Sequence, residues 1–236
     1  MNNTNIVAPK FVVLRIKPEE TYAWLKQIHY AKRVPSISFA FGLYVDDVLS
    51  GVVTFGTPSS STLRNGVCGE ENGKYVLELN RLCFDKFVKN GASYLVANSM
   101  KYLPKPSIVI SYADTNQGHI GYIYQACNFI YTGLSAKRTD WKIKGMEHLH
   151  GQTISDMSRN CDNEMTRSQY MREKFGDDFY LEDRPRKHRY IFIVGNKYQK
   201  NQLLKKMNYE ISAYPKGDST KYEIKNSVAK QNLLQF

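Results

Sequence analysis

The segment Ser107-Ile-Val-Ile-Ser-Tyr-Ala113 ends on a carboxylate at Asp114. A glycine-bearing turn, Thr115-Asn-Gln-Gly-His-Ile-Gly121, then leads into Tyr122-Ile-Tyr124-Gln-Ala-Cys127. A short apolar, β-branched run bounded by turn residues predicts a strand, and the aromatic segment beyond the turn predicts a helix. Ligands of open α/β sheets sit outside the carboxyl ends of the strands, which is where Asp114 would stand. A second reading is equally open from spacing alone. Asp and Thr commonly cap helices, so Asp114 and Thr115 could simply start the next one.

Other elements can be placed around this unit. Lys10 to Lys17 alternates as a strand does, and Pro18-Glu-Glu20 opens a helix that carries Trp24, Leu25 and Ile28 towards His29-Tyr30. Ser36 to Leu43 and Val48 to Phe55 predict an antiparallel hairpin about Asp46-Asp47. Residues 56–73 predict a long loop. Tyr75 to Phe84 predicts a strand, Ala92 to Tyr102 a helix, Ile120 to Cys127 a helix and Phe129 to Thr132 a strand. This order predicts an α/β (α+β) chain with a mixed central sheet flanked by helices. Beyond Gly133 the pattern weakens. Trp141 to Gly151 is expected to finish the sheet, Cys161 to Phe175 to form a polar helix and Tyr190 to Val194 a strand. Asn201 to Met207 predicts a short basic helix, Tyr209 to Tyr214 a further strand, and Ser227 to Phe236 a frayed end. The expected organisation is a main domain over residues 1–150 with a basic region, 151–236, packed on it.

Composition narrows the function classes. Hydrophobic residues make up 42% of the 236-residue chain, and no apolar run approaches the ~20 residues that a membrane helix needs. The start, Met1-Asn-Asn-Thr-Asn5, has neither the basic nor the apolar part of an export signal. Cys68, Cys83, Cys127 and Cys161 form no C-x-x-C pair and suit neither a zinc ribbon nor a disulfide framework, so a reducing cytoplasm is expected. The net charge of +11 is concentrated. From Arg184 onward 12 Lys/Arg face only Glu210, Asp218 and Glu223. A basic segment of this kind predicts a polyanion partner, with Arg184, Arg186, Lys187 and Arg189 on phosphates. The plainer alternative is a solvated tail that aids solubility.

The segment from Ser107 to Asn128, together with Glu78-Leu-Asn-Arg-Leu-Cys-Phe84 and Phe129-Ile-Tyr-Thr-Gly133, resembles the Mom family of bacteriophage DNA modification proteins. The likeness runs from about His29 to about Lys216 and is densest over residues 77–133. It implies a fold similar to the Gcn5-related N-acetyltransferases. It also implies an enzyme, working in the cytoplasm of the bacterial host, that adds an acetamide-like (carbamoylmethyl) group to N6 of adenine. Double-stranded DNA is then the partner, protected from host restriction; the oligomeric state, a homodimer included, stays open. The functional residues it implies are His29, Tyr30, Ser99, Asp114 and Tyr124, with iron held through His29 and Asp114.

Read as residues alone, these positions carry plainer alternatives. His29-Tyr30 could be an ordinary helix end, since His is favoured near C-termini. Any one of 17 tyrosines is structural by default. Acetyltransferases hold a coenzyme A pyrophosphate on a Gly-rich turn at a helix start. That place reads Phe87-Val-Lys-Asn90-Gly91-Ala92-Ser93, which keeps Gly-Ala but lacks the Q/R-x-x-G-x-G/A pattern. Acetyl-CoA and another activated donor are both open. Arg81 predicts a phosphate or ligand contact, because the odd spacing to Glu78 puts the two on opposite faces of a regular strand. Glu147, His148 and His150 form a second candidate cluster, with both histidines expected on one side of a strand. The alternatives to DNA modification are an N-acyltransferase for a small molecule or protein, and a non-catalytic DNA-binding protein.

Overall fold

The computed structural model describes residues 10–84, 88–149, 151–162 and 164–217. Its centre is a seven-stranded mixed sheet. Strands β1 (Phe11–Ile16), β2 (Phe39–Val45), β3 (Val48–Gly56) and β4 (Val76–Phe84) run antiparallel in sequence order. Strand β5 (Ser107–Ala113) then lies parallel to β4. The remaining neighbours, β6 (Ile130–Leu134) and β9 (His188–Val194), are both antiparallel to each other, and β9 sits between β5 and β6. Thus a strand from beyond residue 150 is central to the sheet.

The hairpin forms as expected. Asp46 and Asp47 both take positive φ (48° and 66°), the left-handed pair that matches a two-residue turn to the twist of its strands. Alternation then decides the layers. Val53, Phe55, Leu79 and Val109 face one side, against α2 (Gly91–Ser99), which contributes Leu95 and Val96, and α3 (Tyr122–Ala126), whose Ile123 and Tyr124 pack beside them. Ile108, Ile110, Ile191 and Ile193 face the other side, with Val67 after α1 (Ser61–Gly66) and Leu203 of α6 (Lys197–Lys205). On that same side, towards β3 and β4, Val52 and Cys83 bury Leu25.

Several expectations are corrected. The helix expected from Pro18 is a 3-10 turn, Pro18–Thr21, followed by a wider π-type turn, Trp24–Ile28. The loop over 56–73 contains α1 and the start of a 3-10 turn, Glu70–Tyr75. Trp141 to Gly151 does not finish the sheet. Strand β7 (Arg138–Ile143) pairs instead with β8 (Phe179–Arg184), in a separate two-stranded sheet. Helices α4 (Gly151–Asp156) and α5 (Arg167–Phe175) complete this inserted unit, whose own core is Ile143, Ile154, Met171 and Phe179. Tyr209 to Tyr214 is not a strand. It crosses the sheet edge with a backbone bond from Ser212 to the Tyr131 carbonyl (2.9 Å) and a hydroxyl bond from Tyr214 to the Phe129 carbonyl (2.7 Å). Ser227 to Phe236 lies outside the described residues.

Candidate active site

The parallel neighbours β4 and β5 part soon after they meet. Their register covers only Val76–Glu78 against Ile108–Ile110. Beyond it β4 keeps β3 and β5 keeps β9, and the Ser111 hydroxyl reaches the Leu79 carbonyl (3.0 Å) where the strands diverge. A second irregularity sits beside this parting. Phe55 pairs with Leu79 but Thr54 pairs with Arg81, so Asn80 is an extra residue in β4. Its side chain is held by Thr54 (2.6 Å) and by the Ser36 carbonyl (2.9 Å). A bulge of one residue shifts the alternation by one. Glu78 and Arg81 therefore share a face, against the opposite faces expected of a regular strand.

On that face lie His29 and Tyr30. The π-type turn closes with a bond from the His29 amide to the Trp24 carbonyl (2.9 Å), and Leu25 and Ile28 anchor it in the core. His29 is buried, and its Nδ1 accepts from the Ala31 amide (3.1 Å), so the neutral ring carries its proton on Nε2. Burial, then the charges of Arg81, His119 and Lys32, lower its pKa to about 4. His29 is thus neutral at physiological pH, with Nε2–H as a donor. The Tyr30 ring stacks on it at 4.5 Å. That ring is 41% exposed, and its hydroxyl lies close to Asp114. Burial and the Asp114 charge push the Tyr30 pKa up, against Arg81 and Arg184.

Asp114 turns out to be both a cap and a site residue. Its Oδ1 accepts from the Asn116 amide (3.0 Å), capping a 3-10 turn, while Oδ2 accepts from the Lys187 ammonium (2.7 Å). The turn is tied down by the Thr115 hydroxyl on the Arg186 carbonyl (2.6 Å). Gly121 follows with φ 84°, and a Cβ there would run into the Tyr190 ring. Only glycine permits this close approach, which fixes where α3 starts. Tyr124 then packs against Tyr190 and Phe129, each at 5.3 Å. Its hydroxyl lies near Ser111, and burial raises its pKa to about 12, so it stays protonated.

The structure thus gathers His29, Tyr30, Glu78, Arg81, Asp114, Tyr124 and Lys187 where β4 and β5 part. Arg81 is the least satisfied of them. Its Nη1 donates to the Asn80 carbonyl (2.6 Å), but its buried Nε has no hydrogen-bond partner.

A model of the Mom protein family matches residues 10–216, which takes in every residue of this cluster. The chain belongs to the Mom protein family. A curated relative, methylcarbamoylase mom of Escherichia phage Mu, is 26% identical over 212 residues, spanning 85% of this chain and 84% of that protein.

Other expected positions in this Mom family member fall elsewhere. Ser99 is fully buried and its hydroxyl bonds the Leu95 carbonyl one turn back (2.7 Å). Asn90 begins α2 in the left-handed conformation without a side-chain cap. Gly91 is tight against Val88 and Leu43, so its missing Cβ serves packing on β2. Ser93 bonds the Asn90 carbonyl (3.0 Å), and its own carbonyl accepts from Cys127 of the turn after Tyr124 (3.3 Å). Phe87, which opens that segment, is outside the described residues.

Among the four cations from Arg184 to Arg189 expected on phosphate, Arg184 is the most loosely held. It is 39% exposed and loosely paired with Asp140 (3.8 Å). Arg186 binds the Ser135 (2.5 Å) and Leu134 (3.2 Å) carbonyls. Arg189 bonds Thr132 and lies 3.4 Å from the Tyr209 ring centroid. Lys187 holds Asp114. Glu147 and His148 occupy an exposed turn after β7, not a strand, and His150 is outside the described residues.

Iron fits poorly. Among the described residues no group of three or more His, Cys, Asp or Glu side chains converges as a metal site would require, and Asp114 already serves Lys187 and Asn116. The sequence places Lys187 on phosphate with its neighbours, because it sits in a run of cations; the structure turns it onto Asp114 instead. The shared face of Glu78 and Arg81 is hidden in the sequence because nothing in the local pattern marks Asn80 as a bulge.

Proposed function

We propose that the chain transfers an acetamide-like (carbamoylmethyl) group to N6 of adenine in phage DNA, masking it from host restriction nucleases. The observation that carries this reading is the polar cluster at the parting of β4 and β5, inside a family match that spans it. The parallel β4–β5 pair, which splays after three rungs and is followed by a helix carrying a tyrosine, supports an acetyltransferase-like fold. The partner is duplex DNA in the cytoplasm of the bacterial host. Among the described residues no helix is long and apolar enough to cross a membrane.

The base must leave the duplex for its N6 to reach an enclosed site. The stacked Tyr30–His29 pair offers a flat, half-exposed aromatic wall for it. As the bond from N6 to the donor carbon forms, the leaving group departs with its electron pair and one N6 proton must go. Asp114, fixed by Lys187 and Asn116 and close to the Tyr30 hydroxyl, would take it through Tyr30. Tyr124, un-ionised, is placed to give a proton to the leaving group. Each transfer is worth ~100-fold or more in rate. A donor with a phosphate tail, such as an acyl-CoA, would meet Asn90 to Ser93 at the start of α2; the identity of the donor does not alter these roles. Arg184 is the outward cation that would meet the DNA backbone.

The test is mass spectrometry of nucleosides from the DNA of cells expressing the chain. A new, heavier deoxyadenosine is expected, absent with Asp114→Asn. An unchanged profile from soluble protein, with phage cofactors supplied, overturns the reading. Modification that survives Asp114→Asn removes Asp114 from the mechanism.

A further inference from the structure

The two-stranded ribbon of the inserted unit ends on a rung of two arginines. Arg138 of β7 stands directly opposite Arg184 of β8. Alternation puts Asp140, Lys142 and Glu182 on the same face, and the diagonal pairs Lys142–Glu182 (3.4 Å) and Arg184–Asp140 (3.8 Å) agree with it. Like charges set opposite each other destabilise a strand pair. Among the described residues Asp140 alone pairs with this rung, at the long limit of an ion pair, and the Arg138 side chain makes no hydrogen bond and no ion pair. Both arginines are exposed. The neighbouring cations are engaged elsewhere: Arg186 on the Leu134 and Ser135 carbonyls, Lys187 on Asp114 (2.7 Å) and Arg189 on Thr132 (2.8 Å). Where the ribbon leaves the sheet, the Lys187 amide is bonded to the Ser135 hydroxyl (3.0 Å), and the rung follows three residues beyond each. The rung therefore stands at the mouth of the site. Arg184 is close enough to oppose the rise that burial and Asp114 impose on the Tyr30 pKa, and Arg138 opposes the rise that burial imposes on Tyr112 at the end of β5. One arginine stands towards the Tyr30 wall and the other towards Tyr112.

A guanidinium presents a planar fork of N–H donors that matches the oxygens of a phosphate. A flipped nucleotide turns its base into the protein while its backbone stays outside. Its base then lies inside, against Tyr30, and its two phosphates lie at the mouth. We propose that Arg138 and Arg184 straddle the nucleotide being modified, with one guanidinium on each of its two flanking phosphates. Binding then removes the like-charge cost that the rung carries in the free protein. The contacts fix the register and orientation of the strand without reading its sequence. They also select a class of substrate: an adenine inside a polynucleotide strand, with a phosphodiester on either side. An adenine at the end of a strand loses one contact, and free deoxyadenosine loses both. This inference rests on the reading of adenine in DNA as the target, and it adds Arg138 to the residues that hold the strand.

The experiment uses thymidine oligonucleotides with one central adenine and an uncharged methylphosphonate at one linkage at a time. Affinity is read by fluorescence anisotropy, and modification by mass spectrometry with donor-competent extract. Wild type is expected to lose roughly tenfold in affinity at each linkage flanking the adenine, the scale of one hydrogen bond to a charged group, and less at every other linkage. Arg138→Ala should abolish the loss at one flanking linkage and Arg184→Ala the loss at the other. Each should lower the log–log salt slope by about 0.7, one phosphate of a single strand. Both variants should keep the wild-type thermal midpoint, since both side chains are exposed. An Arg138→Ala variant that leaves the scan unchanged, or weakens binding alike at every linkage, overturns the proposal and makes Arg138 a solvated charge. Wild-type protein that modifies adenine but shows no loss at the flanking linkages sinks this inference alone; protein that shows both losses yet never modifies adenine sinks the proposed function.

Discussion

The central sheet and the inserted unit between β6 and β9 solve the same problem at different scales. The sheet sandwiches one large apolar layer that includes the fully buried Phe41, Phe55 and Phe129. The insertion, residues 135–187, rests on a small cluster of its own around Ile143, Ile154, Met171 and Phe179. Its two ends are stapled together: the Ser135 amide donates to the Lys187 carbonyl (2.7 Å), and the Lys187 amide donates to the Ser135 hydroxyl (3.0 Å). Yet the ammonium that fixes Asp114 stands at this staple. The sheet supplies the floor and walls of the site, and the base of the insertion supplies its clamp.

Deletions in the two cores should separate them most sharply. Phe41→Ala is expected to cost ~3–5 kcal/mol and lower the thermal midpoint of the whole chain. Met171→Ala should cost ~2–5 kcal/mol but act locally. Hydrogen exchange should then accelerate first in α4, α5, β7 and β8, while β3 and β5 stay protected. Simultaneous loss of protection in both regions would mean one cooperative unit.

Acid should act first on the sheet side. His29 titrates near 6.5 unfolded but at about 4 in the fold. The unfolded chain therefore binds more protons between these values, and stability falls as pH drops from 6.5 towards 4, then levels off. That span is worth ~3 kcal/mol for a shift from 6.5 to about 4. Urea titrations at several pH values should show the slope, and His29→Gln should flatten it. A slope that persists in the variant would place it in other groups.

Next come Tyr124→Phe and Asp114→Asn, each expected to lower DNA modification by ~100-fold or more with a nearly unmoved thermal midpoint. Activity that tracks loss of folded protein would return Tyr124 to packing and Asp114 to capping. Lys187→Met probes the clamp and should lower modification ~10-fold without changing DNA affinity, because its charge faces Asp114 and not solvent. The smallest effect is expected from Arg184→Ala, which should reduce the log–log salt slope of DNA binding by about 0.9, one phosphate contact. If Lys187→Met and Arg184→Ala change the slope equally, both residues meet phosphate and the clamp is not private to Asp114.

Local chemistry carried most of what was legible in the sequence. The Asp46-Asp47 hairpin, the strand ending at Asp114 and the glycine-led helix of Tyr124 all follow from turn residues and apolar runs. What stayed hidden depends on contacts distant in sequence. Strand β9 pairs with β5 across a separation of about 80 residues, and the Trp141 strand chose β8 over the sheet for the same reason. The Arg184 to Arg189 cations look alike in the chain. Only the fold distinguishes Arg186 on backbone carbonyls and Lys187 on Asp114 from Arg184 at the rim.

The staple at Ser135 and Lys187 makes the intervening segment an exchangeable part. Its entry and exit already meet, so closing the loop at the sheet depends only weakly on what is carried between them. Relatives could lengthen, shorten or replace that segment, and with it the surface beside the cluster, while inheriting the same arrangement of side chains where β4 and β5 part.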